Sequence, residues 1–228
     1  MQTDMTVGKP MKMLLNFTIP VFLGNVFQQL YSMADAVIVG KFVGTKGLAA
    51  VGATGTITFL IIGFLMGVTT GVTVLTSQKF GAGRMDEMRK TVGNAAILSA
   101  VIAVVMTAVS MLGMHRLLVF MHTPEDIFDG AYGYIMIICA GIFTQVLYNL
   151  VSSILRALGN SKTPLYFLIL AAGLNIVLDL VFIIFFHWGA PGAAWATVIS
   201  QGVSGVLCLI YMWKACLLYT SPSPRDTR

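Results

Sequence analysis

The sequence predicts an all-α integral membrane protein with six transmembrane helices, and three observations carry that reading. Hydrophobic residues make up 57% of the chain and charged residues only 10%, with a mean hydropathy of +0.86, outside the range of soluble domains. The apolar residues gather into runs of about 20 or more, long enough to cross the hydrocarbon core. The charges fall almost entirely between those runs: of nine acidic residues, all but Asp35 and Asp179 lie in loops or termini.

Residues 1–12 are polar and basic, and the apolar run that follows is too long for the core of a cleaved leader, so it reads as a retained first span over 13–40. Further spans follow at roughly 48–76, 92–114, 130–155, 164–186 and 190–213. Gly44, Gly47, Ala49 and Ala50 lead into the second span, and Gly189, Gly192, Ala193 and Ala194 into the sixth; both sets read as packing residues. Thr123-Pro124 and Thr163-Pro164 read as the cap and first turn of the fourth and fifth spans. After the sixth span, residues 216–228 (CLLYTSPSPRDTR) read as a non-native or disordered tail, and the chain as a fragment.

Orientation follows from the basic residues. One side holds nine, Lys9, Lys12, Lys79, Arg84, Arg89, Lys90, Arg156, Lys162 and Lys214, against Lys41, Lys46 and Arg116 on the other, which places the N-terminus in the cytoplasm. The net charge of +5 resides in these short gaps and builds no basic helix face, so nucleic acid is not expected as a partner. Cys139, Cys208 and Cys216 have neither disulfide-framework nor zinc-site spacing.

The polar residues inside the spans are the informative ones. Asn25, Gln28, Tyr31, Ser32 and Asp35 recur at three- and four-residue steps along one stripe of the first helix. The fourth span offers Gln145, Asn149 and Ser153, the fifth Asn175 and Asp179 one turn apart, and the sixth Thr197, Gln201 and Ser204. Hydroxyl and amide stripes can serve as glue between membrane helices at about 0.6 kcal/mol per bond. A carboxylate costs roughly 2.5–3.5 kcal/mol on insertion scales, and an amide would supply the same glue, so two intramembrane aspartates point to chemistry with a cation. A proton shared by paired carboxyls and a Na⁺ held by carboxylate, amide and hydroxyl oxygens both fit that set. Pro20 removes a backbone hydrogen bond within the first span and marks a candidate hinge.

The segments NFTIPVFLGNVFQQLYSMADAVIVGKFVGTKGLAAVG, TSQKFGAGR, ILRALGNSKTPLYF, LNIVLDLVFI and GAPGAAWATVISQ, in that order, resemble the amino-terminal half of the multidrug and toxic compound extrusion (MATE) family, bacterial members most of all, over about residues 8–215. The resemblance implies one six-helix lobe of a twelve-helix transporter, a multi-pass protein of the bacterial cytoplasmic membrane that exports small cationic or amphipathic drugs in exchange for H⁺ or Na⁺. It implies a cation-coupling set of Asp35, Asp179, Asn175, Asn149 and Thr197, and a kinked helix at Pro20. Gln28 and Tyr31 share the face of Asp35, and with Gln145 and Gln201 they are the expected cavity residues. No cofactor is expected beyond the coupling ion, and the carboxy-terminal lobe is the expected partner.

Three rivals differ in what they require. A lipid-linked saccharide flippase of the same superfamily would need Arg or Lys at membrane depth for an anionic head group, whereas the charges within these spans are both acidic. An intramembrane aspartyl enzyme would carry a G-x-G-D stretch, but Asp179 sits in VLDL, so no enzyme is expected. A half-size transporter would work as a homodimer.

Overall fold

The computed structural model describes residues 10–220; segments 1–9 and 221–228, which hold most of the expected N-terminal segment and much of the expected tail, lie outside the described residues. Every regular element among the described residues is helical: α1 (Pro10–Phe42), α2 (Thr45–Gly81), α3 (Met85–Phe120), α4 (Glu125–Ala140), α5 (Ile142–Ala157), α6 (Lys162–Leu180) and α7 (Gly189–Thr220), with a π-helical segment, Val181–Phe185, continuing α6. Five spans are single helices and α4 with α5 makes the sixth, bent by 46° at the break between them. Helices suit this setting because each satisfies its own backbone polar groups without water.

The fourth span is therefore two helices rather than the one straight run that its apolar length predicts. Hydropathy does not register the break, but Gly141 does. A Cβ at residue 141 would lie 2.3 Å from Val198 Cγ2, so only glycine lets α7 approach this closely. The interrupted ladder is mended locally: the Gly141 amide donates to Ile137 O at 2.9 Å, Thr144 Oγ1 donates to Gly141 O at 2.8 Å, and Thr107 Oγ1 on α3 donates to Cys139 O at 3.3 Å. Bends in membrane helices are tolerated when neighbours re-satisfy the freed groups in this way.

The two expected helix caps are corrected by the structure. Pro124 takes the cap position of α4 and no side chain bonds there, so Thr123 caps nothing. At α6 the bonds come from further back: Asn160 Oδ1 accepts from the Thr163 amide at 3.1 Å, and Asn160 Nδ2 donates to Thr163 Oγ1 at 2.9 Å. Asn160 is the better choice because its side chain offers both an acceptor and a donor, and both are used. Asn160→Ala strands the Thr163 amide at a buried turn, so it should lower stability by about 1–2 kcal/mol. Asn160→Asp, which keeps the acceptor, should recover most of this in a thermal melt of the detergent-solubilised protein.

α5 sits at the centre of the bundle, with Val151, Ile154 and Leu155 buried, and α7 packs along it. That contact depends on glycine again, since a Cβ on Gly205 would meet the Tyr148 amide nitrogen at 3.2 Å and one on Gly202 would meet Thr144 Cγ2 at 3.3 Å. Of the glycines entering the second span, Gly47 does pack closely, with a virtual Cβ 2.4 Å from Val43 Cγ1. Gly44 does not: it has open space around it and is required instead by its φ of +91°. α1 is peripheral. It lies on α6 and touches α2, α7 and the π-helical segment, and its Cα atoms stay more than 8 Å from those of α5. It also continues unbroken through Pro20, which is buried.

Candidate functional site

Asp179 and Asn175 are one turn apart on α6, and both are fully buried. Asp35 on α1, 8% exposed, meets them where α1 crosses α6, and the carboxyls of Asp35 and Asp179 are immediate neighbours. Thr197 on α7 closes the third side, its Oγ1 accepting from Asn175 Nδ2 at 3.4 Å. The hydroxyl of Tyr31, one turn before Asp35, neighbours Thr197 and Gln201, and Tyr134 from α4 is buried within electrostatic reach of the pair.

The polar atoms here lack partners. Asp35 Oδ1, Asn175 Oδ1 and both carboxyl oxygens of Asp179 are buried and accept no hydrogen bond among the described residues. Asn175 shows how this comes about: spending its amide NH₂ on Thr197 leaves its carbonyl oxygen bare beside the acids. Four unpartnered oxygens on adjacent side chains form an acceptor-only cluster, and a buried acceptor without a donor costs about 1–3 kcal/mol, more when charged. A proton or a cation is what such a cluster lacks. Among the described residues no three or more Asp, Glu, His or Cys side chains are placed so that they could hold a metal ion together.

The remaining expected residues gather elsewhere. Gln28, Asn149 and Pro20 line a separate cavity of about 110 Å³ in the gap between α1 and α5, together with Asn25 and Ser153. Gln28 precedes Asp35 by seven residues, which places the cavity about 10 Å along the helix from the acid pair. Gln145 is half-buried on α5 and does not line this cavity. Two members of the α1 stripe, Asn25 and Ser32, are exposed; the Ser32 hydroxyl is satisfied by Gln28 O at 3.0 Å on its own helix. Ser204 serves as interhelical glue, donating to Phe167 O at 2.9 Å.

Sequence reasoning missed three features near these sites. The π-helical segment begins two residues after Asp179, and such widened turns are frequent at functional sites. Thr69 and Thr70 on α2 line the cavity, although their spacing in an apolar run resembles that of ordinary packing residues. Arg156 also lines it, having been counted only as a charge that sets orientation. The i, i+4, i+7 relation of Asn149, Ser153 and Arg156 is the signal that could have placed all three on one face.

The MatE family pattern matches residues 20–181. The probable multidrug resistance protein YpnP of Bacillus subtilis is 33% identical over 211 residues, covering 92% of this chain and 47% of that protein. YoeA, a second probable multidrug resistance protein of the same organism, is 30% identical over 202 residues, covering 87% and 44%. A solved MOP superfamily transporter from Pyrococcus furiosus superposes with a TM-score of 0.88 at 28% identity, covering 97% of this chain and 49% of that one. The chain thus spans about half the length of the curated relatives it matches, the amino-terminal half. A match across most of the chain, supported by the six-span helical architecture, shows that it belongs to the MatE family.

Proposed function

We propose that this chain forms the amino-terminal lobe of a secondary active multidrug exporter, and that Asp35 and Asp179 hold the coupling cation, H⁺ or Na⁺. The observation that carries the reading is the set of four unpartnered oxygens on Asp35, Asn175 and Asp179. Thr197 fixes the rotamer of Asn175, and Asn149 acts from the neighbouring cavity rather than on the ion. Cation binding biases one packing of the lobe over another, since a ligand shifts an equilibrium only by its differential affinity for the two states. Small cationic or amphipathic drugs are the proposed cargo, in keeping with relatives named for multidrug resistance. Drug export driven by an imposed ion gradient, measured in proteoliposomes with the full-length protein and with its aspartate variants, tests the reading.

The proposed orientation puts the connector between α2 and α3 in the cytoplasm of a bacterial cell. A cysteine introduced beside Gly83, at exposed Ala82, should resist an impermeant thiol reagent added outside intact cells, whereas one at exposed Glu125 should react. The reverse labelling would invert the topology.

A further inference from the structure

The cavity between α1 and α5 differs in character from the acid cluster. No carboxylate lines it, and Arg156 stands at its α5 wall in the last turn of that helix, half-buried and unpaired with any carboxylate among the described residues. A half-buried cation without a counter-ion is costly and calls for an anion.

The donors around Arg156 point the same way. Ser153, 9% exposed, and Ser161, 6% exposed, both line the cavity. Other serines and threonines in these helices, such as Ser152 and Thr69, bond back to their own helix carbonyls. Ser161 holds the cap position of α6 without capping it, so its hydroxyl is free to donate, and Pro164 brings the first turn of this 19-residue helix into the lining. A helix N-terminus adds positive potential to that wall, although the Thr163 amide is taken by Asn160 and Pro164 has none to offer.

We propose that this cavity is an oxoanion site that takes a phosphate group, with Arg156 as the charge partner and Ser153 and Ser161 as hydroxyl donors. Phosphate suits this set because the planar guanidinium fork pairs two of its oxygens and leaves a third for the serine hydroxyls. The volume of about 110 Å³ admits one such group and not a whole drug molecule. The site lies in the gap between α1 and α5, and the phosphate it takes is that of a membrane lipid or the free ion, which the test distinguishes. The proposal is independent of the acid pair, which lies about 10 Å away along the helix.

The test titrates the purified full-length protein with phosphatidylglycerol, with diacylglycerol, which lacks the phosphate, and with inorganic phosphate, counting adducts by native mass spectrometry. Phosphatidylglycerol should bind about tenfold more tightly than diacylglycerol, a difference of about 1.4 kcal/mol. Arg156→Gln should abolish that preference, Ser153→Ala should reduce it while leaving the fold intact, and Arg89→Gln, on the exposed surface of α3, should leave it unchanged. Arg156-dependent binding of inorganic phosphate without a lipid preference would assign the site to the free ion. Wild-type binding by both Arg156→Gln and Ser153→Ala, an equal loss in Arg89→Gln, or no binding of either phosphate probe would overturn the proposal.

Discussion

Asp179→Asn in the full-length protein is expected to insert and fold normally and to lose ion-driven drug export by more than about tenfold, because losing even about 1.4 kcal/mol of cation binding is a factor of ten. Asp179 contributes two of the four bare oxygens and is fully buried, so no water is placed to replace it. The substitution removes a charge from the membrane interior, so thermal stability should be unchanged or higher. Stability separates this account from one in which the acids hold helices together, since glue lost at about 0.6 kcal/mol per bond would lower the melting temperature while sparing coupling. Asp35→Asn should behave alike. Asn175→Ala should give a partial loss, because it removes one neutral oxygen and releases Thr197 while both carboxyls remain. Glu125→Gln, at an exposed position in the first turn of α4, should be nearly silent.

The second large effect is expected at the bend. Gly141→Ala places a Cβ 2.3 Å from Val198 Cγ2 and 2.8 Å from Val198 Cγ1, and a β-branched valine on a helix has little rotameric freedom to retreat. Overpacking of this kind should cost about 1–3 kcal/mol. Because α7 would be pushed at Val198, the adjacent Thr197 and its bond to Asn175 should shift, so coupling should weaken along with stability. Val198→Ala alone leaves a small void, but combined with Gly141→Ala it removes the clash. The double variant should therefore be more stable than Gly141→Ala, which a thermal melt of both proteins checks. Equal melting temperatures for Gly141→Ala and the parent protein would mean that the glycine is not needed for helix approach.

The spans and the acid pair were legible in the sequence for physical reasons. An apolar run of bilayer length has few alternatives to a helix, and a carboxylate inside one is too costly to be incidental. The i, i+4 spacing of Asn175 and Asp179 puts them on one face of a helix, and the stripe on α1 puts Asp35 with Tyr31 and Gln28. What the stripe could not show is that successive turns of one face meet different neighbours. Asp35 reaches α6, whereas Gln28 opens onto the gap before α5, so residues that look like one site divide into an acidic cluster and a basic-lined cavity. The break at Gly141 was hidden because its cause, Val198, lies 57 positions further along the chain, a separation that local pattern does not span. The π-helical segment after Asp179 has the same apolar composition as an ordinary final turn.

The central claim, that the pocket of Asp35, Asn175 and Asp179 binds the coupling cation, is tested most directly by equilibrium binding to the full-length protein in detergent without drug. Radioactive sodium is titrated at fixed pH, and protonation of buried carboxyls is followed in parallel by infrared difference spectroscopy. The account predicts either saturable sodium binding or a titrating carboxylic-acid band in the parent protein, and its loss in both Asp35→Asn and Asp179→Asn. Sodium binding and carboxyl titration that persist undiminished in the Asp35→Asn/Asp179→Asn double variant would contradict it.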